Sequence, residues 1–192
     1  MREQLSESIQ LAAMRHAASW SPALSDLRLS INLGALELGE GDYSSRLEKM
    51  IADTGFCAKR LTVELTEEGL VRNLDAASGQ LSKLREKGIR VALDDFGTGY
   101  SSLIYLKNLP VDYLKLDKGM TPDIRGSGKD RALLRSIIAL GKAIGLQIIA
   151  EGVEHPEELE MLHVEGCDIY QGYLKSMPLS PKEFERFAMR SN

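Results

Sequence analysis

Strand-like and helix-like periods alternate along the whole chain, and that alternation limits its fold more than any other feature. An opening helix is predicted from Leu5, Ile9, Leu11, Ala12 and Ala18, ending near Ser21-Pro22. Strand patterns follow at Leu27 to Asn32, Leu61 to Leu65, Ile89 to Asp94, Asp112 to Asp117, Leu146 to Glu151 and in CDIYQGY. Helical stretches separate them: Tyr43 to Thr54, stopped by Gly55; a segment running through Leu84 to Gly88; Ser101 to Leu109; Asp130 to Ile144; and PEELEMLHVEG. Repeated strand and helix units of this length build parallel sheets, because each right-handed crossover helix covers one face. The sheet is either doubly wound or closed into a barrel.

Polar residues decide between these. Asn32, Glu64, Asp94, Asp95, Lys115, Asp117, Glu151 and Gln171 all fall at or just beyond the C-terminal end of a predicted strand. Those ends converge on one mouth in a (β/α) barrel, whereas an open sheet recruits fewer strands to its crevice. The expected fold is therefore α/β, a TIM-like barrel. With 192 residues, 43% hydrophobic and 27% charged, the chain has material for one sizeable core and reads as a single domain.

A mouth holding Glu64, Asp94, Asp95 and Glu151 beside Asn32 and Asp117 concentrates negative charge that only cations relieve. Hard oxygen donors suit Mg²⁺ or Mn²⁺, and adjacent aspartates can divide between two ions roughly 3.5 to 4 Å apart, as in phosphoester hydrolysis. Lys115 is the one fixed positive charge of the set. No Ser/His/Asp arrangement competes, and His16, His155 and His163 lack strand-end placement. The DDFGTG stretch lets Gly97 and Gly99 turn the backbone sharply after Asp94, with Ser101 or Ser102 capping the next helix. Several candidates have plainer readings. Glu64 and Glu67 could cap a helix or face solvent, Lys115 could be a solvated edge-strand lysine, Asp117 a helix N-cap, and Gln171 the partner of a buried carbonyl.

Together, LTVELTEEGL, DDFGTGYSSLIYLKNLPVDYLKLD, IIAEGVE and GCDIYQGYLKSMP closely resemble the EAL domain of cyclic di-GMP phosphodiesterases, in order and spacing. The resemblance runs from the first helix onward, and the asparagine of SINLGALEL matches the family's strand-end asparagine. It implies an EAL-type barrel that hydrolyses cyclic di-GMP to linear pGpG. Asn32, Glu64, Asp94 and Asp95 would be metal ligands, with Glu151 also at the metal centre. Lys115 would orient or polarise the attacking water, Glu67 would position the DDFGTG loop, and Glu154 and Gln171 would line or support the substrate site.

The chain departs from the family at its start. The Glu-Ala-Leu motif is absent, so about six of eight strands are expected, in one EAL-like domain over residues 1–192 that lacks its first two. Uncovered sheet edges are aggregation-prone, which makes a homodimer or swapped assembly the expected remedy. Gly34 stands where the family often has serine, and LDKGM lacks a common aromatic. The alternative reading is a non-catalytic EAL-like module that binds cyclic di-GMP or a partner protein, since losing a metal ligand weakens catalysis. A third reading, a barrel enzyme with Lys115 as Schiff-base nucleophile or enolate base, leaves the DDFGTG and AEGVE matches unexplained.

Charge and composition set the remaining expectations. A net charge of -4 supplies no basic field for DNA or an anionic membrane surface, and no long apolar run marks a signal peptide or a span. Cys57 and Cys167 lack metal-site spacing and read as small buried hydrophobes in a reducing cytoplasm.

Overall fold

In a computed structural model of the chain, which describes residues 2–34, 37–38, 42–66, 74–96, 106–120 and 128–191, helices and strands alternate as expected. The elements are α1 (Arg2–Ala18), β1 (Leu29–Leu33), α2 (Tyr43–Thr54), β2 (Leu61–Thr66), α3 (Leu74–Glu86), β3 (Arg90–Phe96), β4 (Tyr113–Leu116), α4 (Gly128–Ala143), β5 (Gln147–Ala150), α5 (Pro156–Val164), β6 (Ile169–Tyr170) and α6 (Pro181–Ser191). Every strand pairing described is parallel. Helix α6 was not among the expected elements. Glu67, the glycines of DDFGTG, and Ser101 and Ser102 lie outside the described residues; of the helix expected over Ser101 to Leu109, only its end from Leu106 is described.

The chain divides into two compact units. Residues 1–65, 69–91 and 178–192 form the first, and residues 66–68 and 92–177 the second. In the first, β1 pairs with β2 from Leu29↔Leu61 to Leu33↔Leu65. Helix α1 packs on both β1 and α2, and α2 on α3. The buried line of α1 is Gln10, Met14 and Ala17, spaced i, i+4, i+7. The more apolar Leu5 and Ile9 face solvent. A buried glutamine is stable there because its amide is used: Gln10 Nε2 donates to the Asn32 carbonyl at 2.8 Å, and Tyr43 Oη donates to Gln10 Oε1 at 3.5 Å. Asp42 caps α2 by accepting from Ser45 N, and Gly55 closes the helix at φ 68°.

In the second unit the strands run in chain order, β3-β4-β5-β6. Strand β4 is buried along its whole length, and α4 packs on β5, where Gly141 brings the helix against Ile148 and Leu114. A strand covered on both faces is what a parallel sheet with crossover helices produces.

The cysteines correct the sequence reading. Cys57 is exposed and Cys167 only half-buried. Cys57 sits in the connection from α2 to the short turn Ala58–Arg60, where Phe56 takes the buried place. Cys167 donates to the carbonyls of Ile148 and Ile169 at the edge of the sheet.

Candidate metal centre and active site

Strand β3 ends in an irregularity that puts two acids in one place. Its register with β4 runs Ala92↔Tyr113 and Leu93↔Leu114, then resumes at Phe96↔Leu116, so β3 spends one residue more than β4 over this stretch. The extra residue is a bulge. Asp95 there has φ 55°, the positive-φ non-glycine residue of the described chain, and its N–H donates to Asp94 Oδ1 at 3.0 Å. In a regular strand consecutive side chains point to opposite faces. Here the left-handed turn at Asp95 breaks the alternation, and Asp94, Asp95 and Glu151 offer oxygens within 4.8 Å of one another.

Lys115 points into this cluster from β4. It is 3% exposed, and its Nζ lies 3.0 Å from Asp94 Oδ1 and 2.8 Å from Glu151 Oε1. The side of β4 facing away from Leu114 and Leu116 is therefore interior. That excludes the solvated-lysine reading. Glu151 follows β5 and is fixed by its own N–H, which donates to the Leu116 carbonyl at 3.0 Å. Asp117 sits at the end of β4, beside Asp95. Its Oδ1 accepts from Gly119 N at 2.8 Å, starting the short turn Lys118–Met120, and its charge reaches Asp95. Burial, then Asp94, then Asp117 push the Asp95 carboxyl above its ordinary range, against the opposing pull of Lys115. Three carboxylates whose oxygens lie this close form a hard-oxygen donor set suited to a divalent cation, so the residues fit the metal that the sequence implied.

In the first unit, Asn32 and Glu64 are partners in the β1–β2 register, and in a parallel ladder such partners share a face. Asn32 is exposed and Glu64 half-buried. Gln171 in the second unit is exposed; its main chain is the part engaged, with N–H donating to Ala150 O at 2.8 Å and the carbonyl accepting from Val153 N at 3.1 Å. A Cβ on Gly172 would overlap the Val153 carbonyl, so this close approach needs glycine. Glu154 is at the surface, ion-paired with Lys118, which holds its carboxyl below the ordinary range. His16 lies 3.4 Å from Glu185, and His155 sits at the N-terminal end of α5, its N–H donating to Glu158. Sequence reasoning missed Lys118, whose link to Glu154 spans 36 residues and leaves no local pattern.

A parallel α/β chain whose strand ends gather acids around a buried lysine defines a class: α/β domains with an acid cluster fitted to a divalent cation. The chain belongs to the EAL domain family, whose profile matches residues 1–178. It is 40% identical over 161 residues to the cyclic di-GMP phosphodiesterase NbdA of Pseudomonas aeruginosa, covering 84% of this chain and 21% of that protein. The chain spans roughly a quarter of the length of the first curated relatives it matches, between 21% and 27%. Among solved structures, it superposes on the PaMucR phosphodiesterase in complex with c-di-GMP at a TM-score of 0.88 and 33% identity, covering 94% of this chain and 74% of that one. It also superposes on the manganese and cyclic di-GMP complex of Klebsiella pneumoniae BlrP1 at a TM-score of 0.83 and 31% identity, covering 92% and 45%. The fold is thus the TIM-like fold of EAL domains.

Proposed function

We propose that this domain hydrolyses cyclic di-GMP to linear pGpG, with Mg²⁺ or Mn²⁺ held by Asp94, Asp95 and Glu151; Asn32 and Glu64 are metal ligands on the strength of the family resemblance alone. The observation that carries this reading is the convergence of Asp94, Asp95 and Glu151 around the buried Lys115 ammonium. The relatives' substrate and the manganese in the BlrP1 complex agree with it.

When bound, a divalent pair polarises a phosphoryl oxygen and lowers the pKa of water. The chain's own groups do the rest. Lys115, fixed between two carboxylates, aims an N–H at the attacking water and balances the charge gathering on phosphate. Glu151, half-buried and tied to Leu116, takes the proton that the water loses. The water oxygen bonds to phosphorus as the bond from phosphorus to the 3′ oxygen breaks, and that oxygen takes up a proton from solvent to leave as the free hydroxyl. A product with a free 5′-phosphate requires this bond to be the one cleaved. The family resemblance gives Glu67 the positioning of the DDFGTG loop and has Glu154 and Gln171 line or support the substrate site, while Asp117 shapes the turn at Lys118–Met120.

Two free cysteines fit the cytoplasm, and no described helix is long and apolar enough to cross a membrane. Incubating the protein with cyclic di-GMP and either metal, followed by chromatography, tests the reading. Formation of pGpG that disappears in Asp94→Ala is the expected result. Intact nucleotide retained by folded protein would replace the enzyme with a cyclic di-GMP-binding module.

A further inference from the structure

Glu151 is followed by Gly152, which has φ 66° and would leave its neighbour free to swing unless something covered it. Lys118 covers it. A Cβ built on Gly152 would stand 2.6 Å from Lys118 Cγ and 2.7 Å from its Cβ and Cδ, so the aliphatic stem of the lysine lies on the glycine backbone. Beyond the stem, Lys118 Nζ pairs with the Glu154 carboxylate. The far side of this link is anchored in turn, because Glu154 N and His155 N both donate to Glu158 Oε2, at 2.8 and 3.0 Å. The near side is set by Asp117, whose Oδ1 accepts from Gly119 N and whose carbonyl accepts from Met120 N, each at 2.8 Å.

Residues 116–120 and 151–154 are therefore joined on both sides of Gly152: by Glu151 N to Leu116 O before it, and by Lys118 to Glu154 after it. The ion pair contributes little stability alone, since the two side chains are 60% and 38% exposed. Its effect is geometric. It pins the lysine stem over the glycine and so restricts the peptide that carries Glu151. We propose that Lys118 is a positioning residue for Glu151, keeping its carboxylate against Lys115. This rests on Glu151 belonging to the reactive centre.

Hydrogen exchange and steady-state kinetics on Lys118→Ala and Lys118→Arg test the proposal together. In Lys118→Ala, the amides of Glu151 and Val153, both hydrogen-bonded at present, are expected to exchange about tenfold faster. The kcat for cyclic di-GMP is expected to fall about tenfold with KM within twofold, the size of loss typical when support for a site carboxylate is removed. Arginine keeps both a stem and a charge for Glu154 and is expected to restore both readouts. Unchanged exchange in Lys118→Ala overturns the proposal whatever kcat does, because the lysine would then act without the loop. Equal damage in the two variants overturns it as well. If wild-type protein forms no pGpG, the hydrolytic reading falls while the exchange experiment still decides the brace.

Discussion

Lys115 is a cation in an environment that its chemistry disfavours. A lysine 3% exposed is stabilised by Asp94 and Glu151, which lie at 3.0 and 2.8 Å. Replacing it by methionine keeps the volume and leaves two half-buried carboxylates facing each other. Lys115→Met is expected to lose about 3 kcal/mol in urea unfolding with chelator present, the low end for a broken buried pair because both acids keep some solvent. Added Mn²⁺ is expected to stabilise this variant more than wild type, since the ion supplies the missing charge; a smaller effect would show that the acids do not face the metal. Asp95 sends a second test. At φ 55° a side chain is strained, so Asp95→Gly is expected to be about 1 kcal/mol more stable than Asp95→Ala, although both lose metal. Equal stability would argue that the left-handed turn is not kept in the variants. Lys115, Asp94, Asp95 and Glu151 were all legible in the sequence as polar residues at strand ends. The bulge that unites the two aspartates was not, because the pattern ALDDF carries no glycine to announce a left-handed residue.

Elements were easier to read than their faces. Alternating periods placed β1 to β6 within a few residues, yet α1 buries Gln10 in preference to Leu5 and Ile9, because the glutamine answers Asn32 and Tyr43 from another part of the chain. No local period contains that information. Helix α6 escaped notice since it follows the last strand and falls outside the alternating pattern. Two glycines inside helices, Gly79 and Gly141, make the same point about context, with opposite expected signs. Gly79 on α3 is exposed with open space around it, so Gly79→Ala is expected to stabilise by about 1 kcal/mol through helix propensity alone. Gly141 on α4 has Ile148 Cδ1 2.6 Å from where a Cβ would stand, and Ile148 is fully buried with nowhere to move. Overpacking there costs about 1 to 3 kcal/mol and outweighs the propensity gain, so Gly141→Ala is expected to destabilise by about 1 kcal/mol. Thermal melts of the two variants side by side decide it; a stabilised Gly141→Ala would mean that α4 does not pack closely on β5.

For the whole molecule, the balance of shifted carboxyls fixes how stability follows pH. Glu165, gripped by Arg135 and Arg131, is lowered to about 2, and Asp42, bonded to Ser45 and Ser44, is also lowered to about 2. Glu154, Glu183 and Asp168 are shifted in the same direction, by Lys118, Ser180 and Lys142, the last against the effect of burial. Asp95 alone among the acids with resolved shifts is raised. A carboxyl lowered on folding binds fewer protons in the native state than in the unfolded chain, so its contribution is complete above the unfolded pKa and disappears as pH falls through the native value. For Glu165 that window runs from 4.5 down to about 2. Asp95 works oppositely, favouring the native state when protonated and disfavouring it as the acid ionises, which flattens the dependence without reversing it, since five groups oppose one. Urea midpoints are therefore expected to climb from pH 2 to pH 5. Glu165→Gln removes the largest clamp of the second unit without touching the acid cluster, so it should lie below wild type at pH 6 and converge with it near pH 2. Parallel curves with a constant gap would show that the arginines hold Glu165 by packing and not by charge.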